Sequence, residues 1–405
     1  MGVTSPAQSP LVAAGIATAK ARALTVLGSS AKKAPESPAK SVTSKDAATD
    51  LSEQLNDELR QKYVKGKKLG EGTYAIVYKG HLRDSPSTLV AIKKIKVNVD
   101  YKDGLAMDAI REVKFLQELS HPNIIALHSV YSSKNQNLNL VLEFLPLGDL
   151  EGMIKDTSVQ YSNADIKAWM GMIGRAVWWC HENFVLHRDI KPNNLLIAGD
   201  GEVKLADFGL ARSFQEPYLN MTHVVITRWY RPPELFFGAR HYSGAVDVWS
   251  VGCVFAELAL RTPYMAGETD IHQVEIISQA IGTPTEDNWP GVSKLPGYVP
   301  IAKDKQVPLR PKRDFEPIFR SIGPVALDLL LATLRLDPRK RISAKGFLQH
   351  EWWQMDPRPT KKENLPRKGG GEEALGNDLK RMGGELEDGR ADKVARKIDF
   401  GKMKP

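Results

Sequence analysis

Residues 187–209 read HRDIKPNNLLIAGDGEVKLADFG. Two short apolar runs, LLI at 195–197 and EVKLA at 202–206, flank the turn-forming GDG at 199–201, so the stretch predicts a β-hairpin. Folding it about that turn sets Asn194 opposite Asp207 at the open end. An amide and a carboxylate side by side are hard oxygen donors, suited to Mg2+. Asp189 stands five residues before Asn194, and Lys191 two residues after Asp189. Such a density of charge between apolar segments needs a chemical reason.

Phosphoryl transfer supplies one, because there the protein mainly positions groups and compensates charge. Asp189 would accept the proton of a substrate hydroxyl, Lys191 would neutralise the moving phosphoryl group, and Asn194 and Asp207 would hold the metal. His187 is read as a brace for this loop. Upstream, Leu69, Gly70, Glu71, Gly72, Thr73, Tyr74, Ala75, Ile76 and Val77 form a glycine-containing turn, where missing side chains let backbone approach phosphates closely. Ala75 stands where the usual loop has its third glycine. In the strand VAIKKI, alternation puts Lys93 on one face with Ala91 and Ile95. A buried ammonium needs an anion. Glu112, on the same helical face as Ala109 and Leu116, supplies it, and the pair would grip the α- and β-phosphates of ATP.

The wider pattern sorts into two lobes. YAIVYKGHL and TLVAIKKIKV read as strands separated by RDSPS, a helical period follows from Asp103 through Leu105, Ala109, Val113, Leu116 and Leu119, and NLNLVLEFL is a further strand. Beyond Gly148 helical patterns dominate to Trp353. The expectation is an α+β bilobal body over 63–353, with a small β-rich N-lobe (63–143), a hinge (143–149) and a larger helical C-lobe (150–353). Residues 1–62 are expected to be a disordered extension and 354–405 a flexible charged tail.

H-R-D-x-K-x-x-N followed thirteen residues later by D-F-G makes Tyr63 to Trp353 resemble a eukaryotic protein kinase. DAIREVKFLQELSHPNII is similar to the cyclin-contacting helix of the cyclin-dependent kinase family. With THVVITRWYRPPELFFGARHY and IGTPTEDNWP, the chain resembles the TFIIH-associated branch of that family. The resemblance implies Mg2+ and ATP as cofactors and a cyclin of the H type as partner. It also implies a RING-type assembly factor, the TFIIH core, RNA polymerase II C-terminal repeats as substrate, other cyclin-dependent kinases as further substrates, and the nucleus as location. Another cyclin-dependent or mitogen-activated branch is the alternative, and AIRE at 109–112 favours a cyclin. A non-enzymatic scaffold would have lost Lys93, Asp189 or Asp207, and all three are present.

The resemblance also assigns individual residues. Thr222 matches the activating phosphosite, with Arg111, Arg188 and Arg212 converging on its phosphate; three unpaired guanidiniums would repel until that dianion arrives. Thr73 and Tyr74 match inhibitory phosphosites. Thr227 places Asp189 and Lys191, and Arg231 shapes a site for proline after the acceptor. Glu234 pairs with Arg341, and Asp247 anchors the catalytic loop. Leu142 stands at the back pocket, while the backbone of Glu143, Phe144 and Leu145 reads adenine. Gly148 adds one residue after the hinge, which leaves a ribose role for Asp149 open.

The formal charge of +8 invites a nucleic-acid reading, which its distribution opposes. Residues 1–45 carry six basic residues against one acid, and residues 356–405 thirteen against ten, so the intervening body is neutral. Two distant cysteines, Cys180 and Cys253, make no disulfide framework. No run of eighteen apolar residues crosses a membrane.

Overall fold

The computed structural model describes residues 44–72, 75–96, 107–133, 137–214, 221 and 225–367, with backbone alone for 44–50. By contacts the chain divides into Met1–Glu53 and Gln54–Pro405, and both lobes belong to the second unit.

Residues 44–62 were expected to lack structure, yet Ser44–Lys62 is a helix, α1. Tertiary contacts account for its later part. Asn56 exchanges two hydrogen bonds with the backbone of Ser132, at 2.7 and 3.1 Å, and Leu59 packs on the cluster of Tyr63, Val90, Ile92, Tyr131 and Val141. Propensity alone does not hold a helix of this length in water, whereas an anchored face does.

An antiparallel sheet of five strands follows: β1 (Tyr63–Glu71), β2 (Ala75–Leu82), β3 (Ser85–Ile95), β4 (Leu127–Ser132) and β5 (Leu138–Glu143), in the order β1-β2-β3-β5-β4. The turn between β2 and β3 is shorter than RDSPS suggested. Ser85 already pairs with Leu82, which leaves only Arg83 and Asp84 in the turn. Between β3 and β4 lies α2 (Met107–Glu118), which buries Ala109, Glu112, Phe115 and Leu116. Its predicted start, including Leu105, falls outside the described residues.

The C-lobe begins with α3 (Leu150–Lys155) and α4 (Asn163–Glu182). Ser162 and Asp165 satisfy one another's backbone N–H groups in a capping box at the start of α4. Two small pairs of strands come next: β6 (Val185–Leu186) with β9 (Arg212–Ser213), and β7 (Leu195–Ile197) with β8 (Val203–Leu205). A short α5 (Pro233–Phe236) leads to α6 (Ala245–Leu260), in which every residue from Val246 to Leu258 is buried. A helix apolar around most of its circumference sits at the centre of a large lobe. Its two buried acids, Asp247 and Glu257, therefore need partners, and Asp247 finds them in the site below.

Candidate active site

The β7–β8 ladder pairs Leu195 with Leu205 and Ile197 with Val203. This register puts Asn194 opposite Ala206, whose N–H donates to the Asn194 carbonyl at 2.9 Å. The expected partner, Asp207, lies one residue further on, and a one-residue slip turns a side chain to the other face. Asp207 corrects for the slip with a left-handed backbone, φ 63°. Its carboxylate Oδ1 thereby accepts from Lys93 Nζ at 3.3 Å. The sequence pattern gave the hairpin but not this kink.

Lys93 Nζ also donates to both oxygens of Glu112 at 2.8 Å. Burial works against the Lys93 ammonium, but the carboxylates of Asp207 and Glu112 outweigh it and hold the group charged above its ordinary range. The same ammonium keeps Asp207 ionised below the usual carboxylate range, against its own burial.

Asp189 is almost enclosed by donors. Oδ1 accepts from Thr227 Oγ1 at 2.9 Å and from the Thr227 N–H at 3.3 Å. Oδ2 accepts from Asn194 Nδ2 at 3.0 Å and pairs with Lys191 Nζ at 3.2 Å. Lys191 itself donates to Thr227 Oγ1 at 2.9 Å, so a single hydroxyl fixes both the acid and the cation. Asn194 Nδ2 is spent on Asp189, while its Oδ1 is buried without a hydrogen-bond partner among the described residues. A buried acceptor left over at the hairpin end that also carries Asp207 is what a hard cation would complete. Among the described residues no three His, Cys, Asp or Glu side chains form a metal cage. Mg2+ in phosphoryl transfer needs none, since one or two protein oxygens and the phosphates hold it.

The loop is tethered from below. Asp247, fully buried, accepts from the N–H of His187 at 3.0 Å, from the N–H of Arg188 at 2.9 Å and from His181 Nε2 at 2.9 Å. Burial would raise its carboxyl, yet these donors hold it below its ordinary value. His187 Nε2 sits 3.0 Å from the Ala206 carbonyl and its Nδ1 accepts from the Asp189 N–H at 3.2 Å. Burial lowers its pKa, so it is a neutral brace, with Phe208 packed edge-on at 4.7 Å. Arg188 and Ile226 share the left-handed backbone of Asp207, at φ 66° and 69°. Such residues cost about 1–3 kcal/mol each and persist where surroundings over-determine them, as the Asp247 tether does for Arg188.

Other predicted residues separate into groups. Glu71 pairs with Lys96, whose Nζ also donates to the Gly72 carbonyl at 2.9 Å and so ties the glycine turn to the end of β3. Thr73, Tyr74 and Thr222 lie outside the described residues. Two of the three arginines, Arg188 and Arg212, face the same phenol, that of Tyr242. Arg111 bonds Asp108 at 2.9 Å, while buried Arg188 donates to the Leu210 carbonyl and to the Tyr242 hydroxyl. Arg212 is opposite Leu186 and, with Arg188, acts electrostatically on Tyr242, a residue the sequence reading did not single out. At the hinge, Glu143 pairs with Lys204 of β8 at 3.1 Å, and the Lys79 ammonium stands 5.3 Å over the Phe144 ring. The extra Gly148 takes φ 78°, and its carbonyl accepts from the Ile197 N–H. Asp149, 4% exposed, caps α3 by accepting from the Gly152 N–H at 2.7 Å, a structural use of the carboxylate left open for ribose.

The sequence pattern of the protein kinase domain matches residues 63–353. The serine/threonine-protein kinase KIN28 of Saccharomyces cerevisiae is 49% identical over 304 residues, covering 75% of this chain and 97% of that protein. Cyclin-dependent kinase 7 of Carassius auratus is 46% identical over 309 residues, 76% of this chain and 87% of the relative. Among solved structures, the CAK complex of Chaetomium thermophilum bound to ATP-gamma-S contains a chain similar at 63% identity with a TM-score of 0.76. The match covers 78% of this chain and 99% of that one.

Proposed function

Because the chain belongs to the protein kinase family and is a serine/threonine kinase of its cyclin-dependent branch, we propose that it is the TFIIH kinase acting on Ser-Pro sites of the RNA polymerase II C-terminal repeats. A cyclin partner, ATP and Mg2+ belong to the same reading, as do an assembly factor of the RING type and the nucleus. The ATP analogue and the complex named for the Chaetomium structure support ATP and a protein partner. The relatives named as a serine/threonine-protein kinase and a cyclin-dependent kinase support a protein hydroxyl as acceptor and a cyclin as partner.

Asp189 takes the proton of the acceptor hydroxyl, and Lys191, locked to it through Thr227, stands by to offset phosphoryl charge. Lys93, oriented by Glu112, grips the nucleotide phosphates. Asn194 Oδ1 and the Asp207 carboxylate would hold Mg2+, which when bound neutralises charge on the β- and γ-phosphate oxygens.

One observation carries the preference for proline after the acceptor. Arg231 Nε donates to the carbonyls of Val225 at 2.8 Å and Ile226 at 3.1 Å, and its Nη2 to Ile226 again at 3.0 Å. Left-handed Ile226 turns its carbonyl toward this guanidinium. Those carbonyls are thereby occupied, so a residue after the acceptor that carries an N–H finds no partner there, and proline has no N–H to satisfy. Leaving a donor unpaired predicts about a five- to hundredfold lower kcat/KM for a Ser-Ala than for a Ser-Pro peptide. Paired heptad-repeat peptides, assayed with the cyclin-bound enzyme, test this, and equal rates would remove the proline argument.

Thr222→Ala is expected to keep ATP binding and to lose about ten- to a hundredfold in peptide phosphorylation by the cyclin-bound pair, the worth of one charge-assisted bond to the activation segment. Nucleotide titration and a kinase assay on the same preparation separate the two effects. Full activity of the free pair would dismiss the phosphosite.

A further inference from the structure

The chain after Trp352 does not leave the C-lobe at once. Buried Lys167 donates to the carbonyls of Trp352 and Met355 at 2.6 and 2.7 Å, and the Thr360 N–H donates to the Ala164 carbonyl at 3.1 Å. Leu365 is 4% exposed and joins the main core. Between these anchors, Lys362 reaches the turn of the β7–β8 hairpin, with Nζ 2.6 Å from Asp200 and 3.3 Å from Glu202. Its carbonyl lies so close to Gly201 that a Cβ there would stand 2.0 Å away. On the other side of the turn, Gly199 faces Pro146 of the 143–149 segment between the lobes.

Glu202 does not end the chain of contacts. Its Oε1 accepts from Asn123 Nδ2 at 3.2 Å, and Asn123 also donates to the Val203 carbonyl and accepts from the Leu205 N–H and from Arg175. Asn123 is 1% exposed and sits in the loop between α2, which carries Glu112, and β4. Beside that loop a cavity of about 660 Å³ is lined by Leu116, Leu119, His121, His128 and Lys204. Packing therefore leaves one side of the loop open, and polar contacts have more of its position to determine.

We propose that Lys362 is a positioning residue for the ATP site. Through Glu202 it ties the C-terminal strap to the hairpin whose open end bears Asn194 and Asp207, and through Asn123 to the pivot of the helix that bears Glu112. The strap thus helps hold Glu112 and Asp207 together around Lys93. This inference takes the kinase reading as given.

The test uses the full-length chain bound to its cyclin, with KM for MgATP, kcat and thermal midpoint measured for parent, Lys362→Ala, Lys362→Arg, Glu202→Gln and the Lys362→Ala/Glu202→Gln pair. Activity of the parent establishes the kinase reading independently of any variant. Since partly exposed ion pairs are weak, Lys362→Ala is expected to raise KM only about two- to fivefold, with kcat unchanged. Lys362→Arg should restore the parent value, and the double variant should be no worse than the poorer single one. An unchanged KM in Lys362→Ala overturns the proposal. So does a loss in kcat and midpoint that Lys362→Arg fails to repair, or additive effects in the double variant, which would mean that the two residues act by separate routes.

Discussion

Asp189→Asn is expected to lower kcat by about a hundred- to ten-thousandfold, the range a positioned general base contributes. The substitution keeps shape and one acceptor oxygen, so the Thr227 hydroxyl, 2.9 Å from Oδ1, keeps a partner. It removes the charge that faces Lys191 at 3.2 Å and the acceptor that faces the Asn194 amide at 3.0 Å. An amide at Oδ2 would present hydrogens to both donors, so Lys191 would swing from its place as well as the base being lost. Lys93 and Glu112 are untouched, and KM for ATP should stay within about twofold, as expected when only a transition-state interaction is removed. Steady-state kinetics on a Ser-Pro peptide with saturating cyclin measure both constants. A kcat near the parent value would mean that Asp189 takes no proton, and the assignment of the site would fall.

The parts of this site that were legible in the sequence are those in which a charged residue interrupts a regular apolar pattern. Lys93 on an alternating strand and Glu112 on the buried face of a helix each demand a partner, and the structure joins them at 2.8 Å. The family resemblance, and not periodicity, supplied Glu234 with Arg341 and Asp247 under the catalytic loop, and both contacts are present. What stayed hidden depends on backbone departures that side-chain periodicity does not encode. Asp207 reaches Lys93 only through its positive φ, and the hairpin register that makes this necessary differs from the expected one by a residue. The helix before β1 and the strap after Trp353 were read as tails, because their composition is polar and charged. Each is held by a few specific contacts, such as Asn56 with Ser132 and Lys362 with Asp200, which composition averages away. Lys96 and Tyr242 were missed for a related reason: each lies next to a motif without belonging to its pattern.

Glu234→Ala is expected to destabilise the kinase body by about 3–5 kcal/mol, since it strips one partner from a buried ion pair. Arg341 donates Nη1 to Oε1 at 2.7 Å and Nη2 to Oε2 at 3.0 Å, and the two side chains are 0% and 3% exposed. Without Glu234 the guanidinium still reaches the carbonyls of Ala245 and Arg335 and lies 5.0 Å over the Trp249 ring, but among the described residues no other carboxylate forms an ion pair with it. Heat-induced unfolding should fall by about 6–20 °C for a body of this size. Apolar replacement of both partners, Glu234→Leu with Arg341→Met, should cost less than the two single changes summed, because no lone charge remains. It should not reach parent stability, since the carbonyls of Ala245 and Arg335 would then lose their donor. The damage would extend to substrate choice. Glu234 closes the segment that begins at Asp207, three residues after Arg231, so loosening it frees the guanidinium that occupies the Val225 and Ile226 carbonyls. At a temperature where the variant is still folded, its preference for Ser-Pro over Ser-Ala peptides should narrow. A midpoint within about 2 °C of the parent would show that the pair contributes no net stability to this lobe.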